Sequence, residues 1–175
     1  MLANRLFEGA PSYKEYLALC QLQARCNIDD PTFLSRVEQS LKEGYQPPVG
    51  RYIASRSDDL LRFYVEQHRL EEACAWVETR KVSTDALIEL ANEVISDKPE
   101  TALNYYIRVV CATIEQTNNG AYDQALRYLQ TLEKRLEPYP SVTRLFYAQV
   151  SRIAQTYKRK RNMFALFKKH YAKYL

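Results

Sequence analysis

The residues best suited to chemistry in this sequence form a run of cations between Tyr157 and Asn162. Four consecutive positive side chains, Lys158 to Arg161, lie between these two residues. Clustered Lys and Arg attract phosphate groups by releasing counterions, and a tyrosine such as Tyr157 can stack on a base. If the run is helical, its cations surround the whole circumference of one turn, so they cannot all lie on one solvated face. The run is therefore the first candidate for a binding surface.

This run belongs to a strongly basic part of the chain. Residues 141–175 contain nine cations and no acidic residue. The remaining 140 residues carry the other 16 of the 25 basic residues and all 21 acidic ones, so the net charge of +4 hides an acidic body and a basic end. The candidate binding residues are Tyr157, Lys158, Arg159, Lys160, Arg161, Asn162, Lys168, Lys169 and Lys173.

Two functions fit these residues. A basic helix can dock an acidic protein, whether a partner or the acidic part of its own chain. The same cations can instead bind nucleic acid. Membrane binding is disfavoured because the apolar residues of this region are needed to cover the neighbouring helices.

The sequence contains no pattern typical of an enzyme. Its two histidines, His68 and His170, are about a hundred residues apart, and no glycine-rich loop or metal-binding motif occurs. Glu71 and Glu72 are adjacent, so on a helix their side chains point about 100° apart. Acids at a helix start are explained by the macrodipole alone. We therefore predict a protein that is not an enzyme, with no catalytic, cofactor-binding or metal-binding residues.

The four cysteines do not form a disulfide or metal framework. Only Cys20 and Cys26 are close in sequence, and six residues along a helix place them on different faces. We predict buried, reduced thiols in a cytoplasmic protein. The residues from Met1 to Ala10 do not read as a secretory signal, and no apolar stretch approaches the roughly 18 residues that a membrane span needs.

The elements that would position the basic run are helices that share a short signature. It opens at Leu70, Pro99 and Tyr122, with an acid next, an Ala at the fourth position and an aromatic residue at the seventh. A small Ala lets a neighbouring helix approach, and the aromatic side chain fills the space between helices. The pattern predicts one all-α repeat domain over 1–175, a tetratricopeptide-like superhelix of about eight helices in antiparallel hairpins.

The aromatic residues of these helices have two interpretations. They are packing residues between helices, which we favour, or they line a ligand groove on a concave surface. The residues concerned are Trp76, Tyr105, Tyr106, Tyr122 and Tyr128.

Local signals predict where several helices begin and end. Ser12 with Glu15 forms a capping box, and Asp30 with Pro31 opens the next helix. Residues 45–52 contain two prolines and a glycine, and form either a tight corner or a boundary between two sub-bundles.

Three further local signals follow along the chain. The segment 57–59 is predicted to cap a helix, and 118–120 to form a turn. Residues 141–175 contain neither Pro nor Gly, which predicts one long basic helix, or two with a bend around Arg161 and Asn162.

The sequence also resembles a known family. The motifs concerned are Arg5-Leu6-Phe7-Glu8, Pro11-Ser12-Tyr13-x-x-Tyr16, Leu70-Glu71-Glu72-Ala73-x-x-Trp76, Tyr122-Asp123-Gln124-Ala125 and Tyr157-Lys158-Arg159-Lys160-Arg161-Asn162. Together they look like the helical-repeat region of bacterial SWIM zinc-finger proteins. In that family a Cys-x-Cys and a later Cys-x-His form a zinc finger ahead of the helical region, and this chain contains neither motif.

The resemblance implies the helical C-terminal part of such a protein without its finger. It implies a non-catalytic scaffold for protein–protein interaction, with a nucleic-acid-binding accessory module as the alternative.

Overall fold

A computed structural model describes residues 11–44 and 55–175, and these parts of the chain form nine α-helices, one short 3-10 helix and no strand. The predicted all-α class is therefore confirmed for them. The helices are α1 (Tyr13–Cys26), α2 (Phe33–Gly44), α3 (Ser55–Glu66), α4 (Leu70–Thr79), α5 (Thr84–Val94), α6 (Pro99–Ile114), α7 (Asn119–Leu136), α8 (Pro140–Thr156) and α9 (Arg161–Tyr171), with the 3-10 helix at Ala172–Tyr174. The chain divides into two compact units, 1–86 and 87–175. The corner or boundary predicted at 45–52 lies outside the described residues.

The signature helices are confirmed as packing elements. Helices α4 and α6 begin at Leu70 and Pro99, as the sequence predicts. The signature alanines Ala73, Ala102 and Ala125 are all fully buried. At full burial even a methyl group meets its neighbours directly, so a larger side chain has no room at these positions.

The aromatic residues of the signature also serve packing. Tyr105, Tyr106 and Tyr122 are buried, and Trp76 and Tyr128 are half-buried. The Trp76 indole donates a hydrogen bond to the Ser57 carbonyl at 3.0 Å. A buried indole N–H needs such a partner, so Trp76 is held within the fold.

Two helix starts are confirmed or refined by their caps. Ser12 caps α1, because its hydroxyl accepts a hydrogen bond from the Glu15 backbone N–H at 3.3 Å. Helix α2 begins at Phe33, two residues later than predicted. The Asp30 carboxylate accepts a hydrogen bond from the Thr32 backbone N–H at 3.0 Å, which makes a turn ahead of the helix.

One predicted cap is wrong, and one predicted turn is part of a helix start. Helix α3 begins at Ser55, so Ser57 lies inside its first turns and does not cap it. The neighbouring Asp58 instead accepts a hydrogen bond at 2.8 Å from the backbone N–H of Ser83, just ahead of α5. Asn118 caps α7 through the Ala121 backbone N–H at 2.8 Å, and the predicted turn at 118–120 is therefore largely the first turn of that helix.

The thiols are free but not fully buried, which corrects the prediction from composition. Cys26 is exposed, and Cys20, Cys74 and Cys111 are half-buried. Cys26 is the last residue of α1, where the chain leaves the helix through Asn27 in a left-handed conformation with φ of 50°. A side chain at such a terminus has neighbours on one side only.

An ionic cluster joins three helices in the unit 1–86. The Glu38 carboxylate on α2 contacts the Lys42 ammonium and the Arg69 guanidinium, each at 2.6 Å, and accepts a hydrogen bond from the Tyr64 hydroxyl at 3.1 Å. Its side chain is only 16% exposed. These donors, led by Arg69, lower the Glu38 pKa to about 2, below the usual value of 4.5.

Replacing Glu38 with Gln is therefore expected to destabilise this unit by about 1 to 2 kcal/mol at neutral pH, because two cations lose a partially buried partner. The folded-state pKa is depressed, so the contribution is complete above about pH 4.5 and disappears as the pH falls towards 2. Urea unfolding followed by Trp76 fluorescence measures both effects. Glu43→Gln, an exposed site on the same helix, should change the free energy of unfolding by less than about 0.5 kcal/mol. Equal losses in the two variants would contradict this prediction.

Helix starts recur at a regular interval in the unit 87–175. The starts of α6 and α8 are 41 residues apart, and those of α7 and α9 are 42 apart. Hydrogen bonds between corresponding turns repeat the interval: the Tyr139 hydroxyl donates to the Ser96 backbone carbonyl and the Asn162 side-chain amide donates to the Asn119 side-chain oxygen, each across 43 residues. Helices two apart along the chain thus start side by side.

Candidate partner-binding surface

The basic run lies in a turn between two helices. Helix α8 ends at Thr156 and α9 begins at Arg161, with a hydrogen bond from the Lys160 N–H to the Tyr157 carbonyl at 2.8 Å closing the turn. The sequence predicted either one long helix or two helices over 141–175, and the prediction of two helices is correct. The expectation that the four cations surround one helical turn is wrong, because only Arg161 belongs to a helix.

Two members of the run are held by the end of α6. The Lys160 ammonium donates to the Thr117 hydroxyl at 2.9 Å and lies 3.4 Å from the Glu115 carboxylate. Tyr157 lies close to Glu115, and burial together with this carboxylate raises the pKa of Tyr157. The Lys160 ammonium also lies 5.8 Å from the centre of the Tyr157 ring. Tyr157 and Lys160 thus anchor the turn within the unit.

Asn162 and the buried face of α9 fix that helix in place. Asn162 donates to Asn119 at the start of α7 at 2.9 Å. Met163, Phe167 and Tyr171 follow at intervals of four residues and are all buried, as expected for the apolar face that covers neighbouring helices. The Tyr171 hydroxyl donates to Glu133 of α7 at 3.2 Å.

The other six candidate cations are exposed, and we call them the cationic surface. They are Lys158, Arg159, Arg161, Lys168, Lys169 and Lys173. Among the residues that the structure describes, none of the six forms a salt bridge with an acidic side chain. Arg161 and Lys168 are about 10 Å apart along the axis of α9, at 1.5 Å per residue.

Helix stability does not explain the cations at the start of α9. Lys160 is the residue ahead of the helix, it provides no side-chain cap, and the first turn contains no acidic residue. Positive charges at a helix N-terminus oppose the macrodipole and each cost a few tenths of a kcal/mol. The cations of this turn therefore reduce the stability of α9.

The aromatic rings near the cationic surface are engaged within the chain. The Lys168 ammonium lies 5.0 Å from the centre of the Phe164 ring. Tyr174 stacks on Tyr147 with ring centres 3.7 Å apart. The Tyr157 ring has the Lys160 ammonium 5.8 Å from its centre, so each of these three half-buried rings already has a neighbour within the chain.

Sequence reasoning did not detect a shallow groove beside the cationic surface. A cleft of about 360 Å³ lies between α7 and α9, lined by Asn119, Tyr122, Asp123, Asn162, Ala165 and Leu166. Its two walls are about 43 residues apart in sequence, and no local pattern connects them. Only the buried face of α9, which packs this helix on α7, brings the walls together.

The described residues contain no group of three His, Cys, Asp or Glu side chains placed to hold a metal ion. Of the two histidines, His170 is exposed on α9, with its ring Nδ1 at 3.4 Å from the Gln130 amide nitrogen. His68 follows α3 in a left-handed conformation with φ of 53°. No helix within the described ranges is both long and apolar enough to cross a bilayer.

Comparison of the chain with models of protein families, with curated proteins and with solved structures found no match. The resemblance to SWIM zinc-finger proteins therefore stays a prediction based on the motifs quoted above.

Proposed function

We propose that this protein is a non-catalytic helical-repeat scaffold that binds an acidic protein partner through its cationic surface. One observation supports this most strongly: six exposed cations lie in a region without any acidic residue, and they have no described ionic partner. Charges that do not serve the fold, and in part oppose it, are available for an external partner. Electrostatic complementarity of this kind mainly accelerates association and selects the partner.

The repeats would form a tetratricopeptide-like superhelix of antiparallel hairpins. Side-by-side starts of α6 with α8 and of α7 with α9 support this arrangement. Their interval of 41 and 42 residues exceeds the 34 residues of tetratricopeptide repeats, so we propose a longer version of that hairpin. In a SWIM-like bacterial protein this scaffold would be the C-terminal region and would act in the cytoplasm.

Nucleic acid is the second candidate partner. Arg159 and Arg161 are exposed, and guanidinium groups bind phosphate through two parallel hydrogen bonds. Single-strand binding also uses aromatic rings that stack on bases. Here the Phe164 ring lies under Lys168 and the Tyr157 ring is half-buried beside Glu115, which favours the acidic protein.

A charge-reversal variant tests the proposal. Replacing Lys158, Arg159 and Arg161 with Glu is expected to weaken binding of fluorescent poly-glutamate about 30-fold, since three surface attractions become repulsions worth about 2 kcal/mol in total. Fluorescence anisotropy at several salt concentrations gives the dissociation constants, with a labelled single-stranded oligonucleotide measured in parallel.

The matched control reverses three exposed cations of the other unit, Lys14, Arg25 and Lys81, and so changes the net charge by the same amount. It should retain most of the poly-glutamate affinity. Equal losses in the two variants would contradict a localised surface. Tighter, steeply salt-dependent binding of the oligonucleotide would favour the second candidate. No binding of either probe at low salt would overturn both.

A further inference from the structure

The groove between α7 and α9 lies over the first turns of both helices and is closed at one end. Asn119 and Asn162 join the two helices at their starts with a hydrogen bond of 2.9 Å. Farther along, the Gln130 amide and the His170 ring approach to 3.4 Å. The helices thus run in the same direction, and the groove spans about 6 Å along each of them, from Asn119 to Asp123 and from Asn162 to Leu166, at 1.5 Å per residue.

The floor of the groove is apolar. The Tyr122 side chain is buried beneath it, Leu166 is half-buried, and Ala165 is exposed at its edge. A cleft of about 360 Å³ is at the small end of the range for ligand pockets. It is large enough for one or two apolar side chains of a docked segment.

The helix surfaces at the groove and just beyond it carry charges of both signs, arranged along the two helices. The exposed Asp123 lies near the closed end. One turn farther along α7, Arg127 is exposed, and its guanidinium is held by the Gln124 side chain at 3.0 and 2.5 Å. These two hydrogen bonds use two of the five N–H donors of the guanidinium. Lys169 is exposed on α9, one turn beyond Ala165.

We propose that this groove docks an acidic amphipathic segment of a partner protein. An apolar side chain of the segment packs between Tyr122 and Leu166, and its carboxylates reach Arg127 and Lys169. Helical segments commonly dock in this way, with their apolar face in a groove. This inference rests on the proposed function, because it names the part of the acidic partner that the scaffold holds.

Charge complementarity indicates that the docked segment is acidic and on which side of its apolar anchor the acidic residues lie. The carboxylate of Asp123 repels an acid at the closed end, whereas Arg127 and Lys169 attract acids farther along. The acidic residues of the segment should therefore lie on one side of its apolar anchor. Lys168 on the same helix and Lys173 on the 3-10 helix that follows it are exposed and add a positive field that attracts the same partner.

A peptide library displayed on phage and selected on the full-length chain tests this inference. Enriched 12-residue peptides are expected to contain a Leu, Phe or Trp with Asp or Glu on one side of it. Ala165→Glu and Lys169→Glu should each raise the dissociation constant of a synthetic enriched peptide at least tenfold. Arg144→Glu is the matched control for charge, because Arg144 is an exposed cation of α8 that lies outside both the groove and the cationic surface.

The outcomes separate this inference from the proposed function. Enriched peptides without acidic residues, or peptides unaffected by Ala165→Glu and Lys169→Glu, would overturn docking in the groove. If docking in the groove is overturned but poly-glutamate still binds, the proposed scaffold with its cationic surface remains supported. Peptides that lose affinity only when Lys158, Arg159 and Arg161 are reversed would place the partner on the turn and also overturn the groove. Circular dichroism of each variant confirms that its helices are intact.

Discussion

Replacing Phe146 with Ala is expected to destabilise the unit 87–175 by about 3 to 5 kcal/mol. Phe146 is a fully buried residue of α8. Its ring centre lies 5.2 Å from that of Tyr147 and 6.1 Å from that of Tyr171, edge to face in both cases. The variant loses the transfer free energy of the ring and leaves a cavity that two fixed tyrosines cannot fill. Edge-to-face contacts add to the loss.

Hydrogen–deuterium exchange in increasing urea measures this effect in peptides from α6 to α9. Trp76, the one tryptophan of the chain, lies in the other unit, and its fluorescence follows that unit separately. Phe164→Ala is the matched control: the residue type is the same, but the ring is half-buried under Lys168, and the expected loss is about 1 kcal/mol. Comparable losses in the two variants would show that Phe146 is not a core residue. Phe146→Leu should recover part of the lost stability, because it refills most of the cavity.

Features that depend on neighbouring residues were predictable from the sequence. Ser12 caps α1 through a residue three positions later, and Pro99 begins α6 as its fixed φ favours. The buried signature alanines follow from a pattern that repeats within single helices. Such signals need no knowledge of the tertiary fold.

Features that depend on distant residues could not be predicted in this way. The break between α8 and α9 contains no Pro or Gly, and it accompanies contacts of Tyr157 and Lys160 with the end of α6, more than 40 residues earlier. Asp58 is of a residue type that caps helices, yet it accepts its hydrogen bond from the backbone N–H of Ser83, whose own hydroxyl caps α5. Propensity reports which residue types can accept a hydrogen bond, whereas packing decides which donor they meet.

The candidate site also combines features that residue type alone predicts with features that depend on distant residues. Composition identified every member of the cationic surface, because charge is a property of residue type. It could not separate Lys160, held by Thr117, from its exposed neighbours Arg159 and Arg161. It also missed the groove, because residues such as Tyr122 and Leu166 come together only where α9 packs on α7.

Replacing Ala125 with Leu is expected to destabilise the same unit by about 1 to 3 kcal/mol, because three extra carbons must enter a site with no free volume. Ala125 is fully buried on α7, which packs against α6, α8 and α9. Leu is nearly as good a helix former as Ala, so helix propensity alone predicts almost no change. A substantial loss would therefore measure the close approach of the helices.

A second substitution distinguishes these two explanations further. Ala125→Gly should cost about 1 kcal/mol, the usual penalty for Gly inside a helix. If the close approach of the helices determines the residue at this position, the loss of stability is largest for the Leu variant and smaller for the Gly variant. If helix propensity determines it, Gly is the worst of the three. Ala148→Leu, on an exposed position of α8, controls for the added side chain and should change the free energy of unfolding by less than about 0.5 kcal/mol. Urea unfolding followed by circular dichroism gives the order of stability of the three proteins. If the Leu variant is as stable as wild type, the signature alanine does not mark a contact between helices.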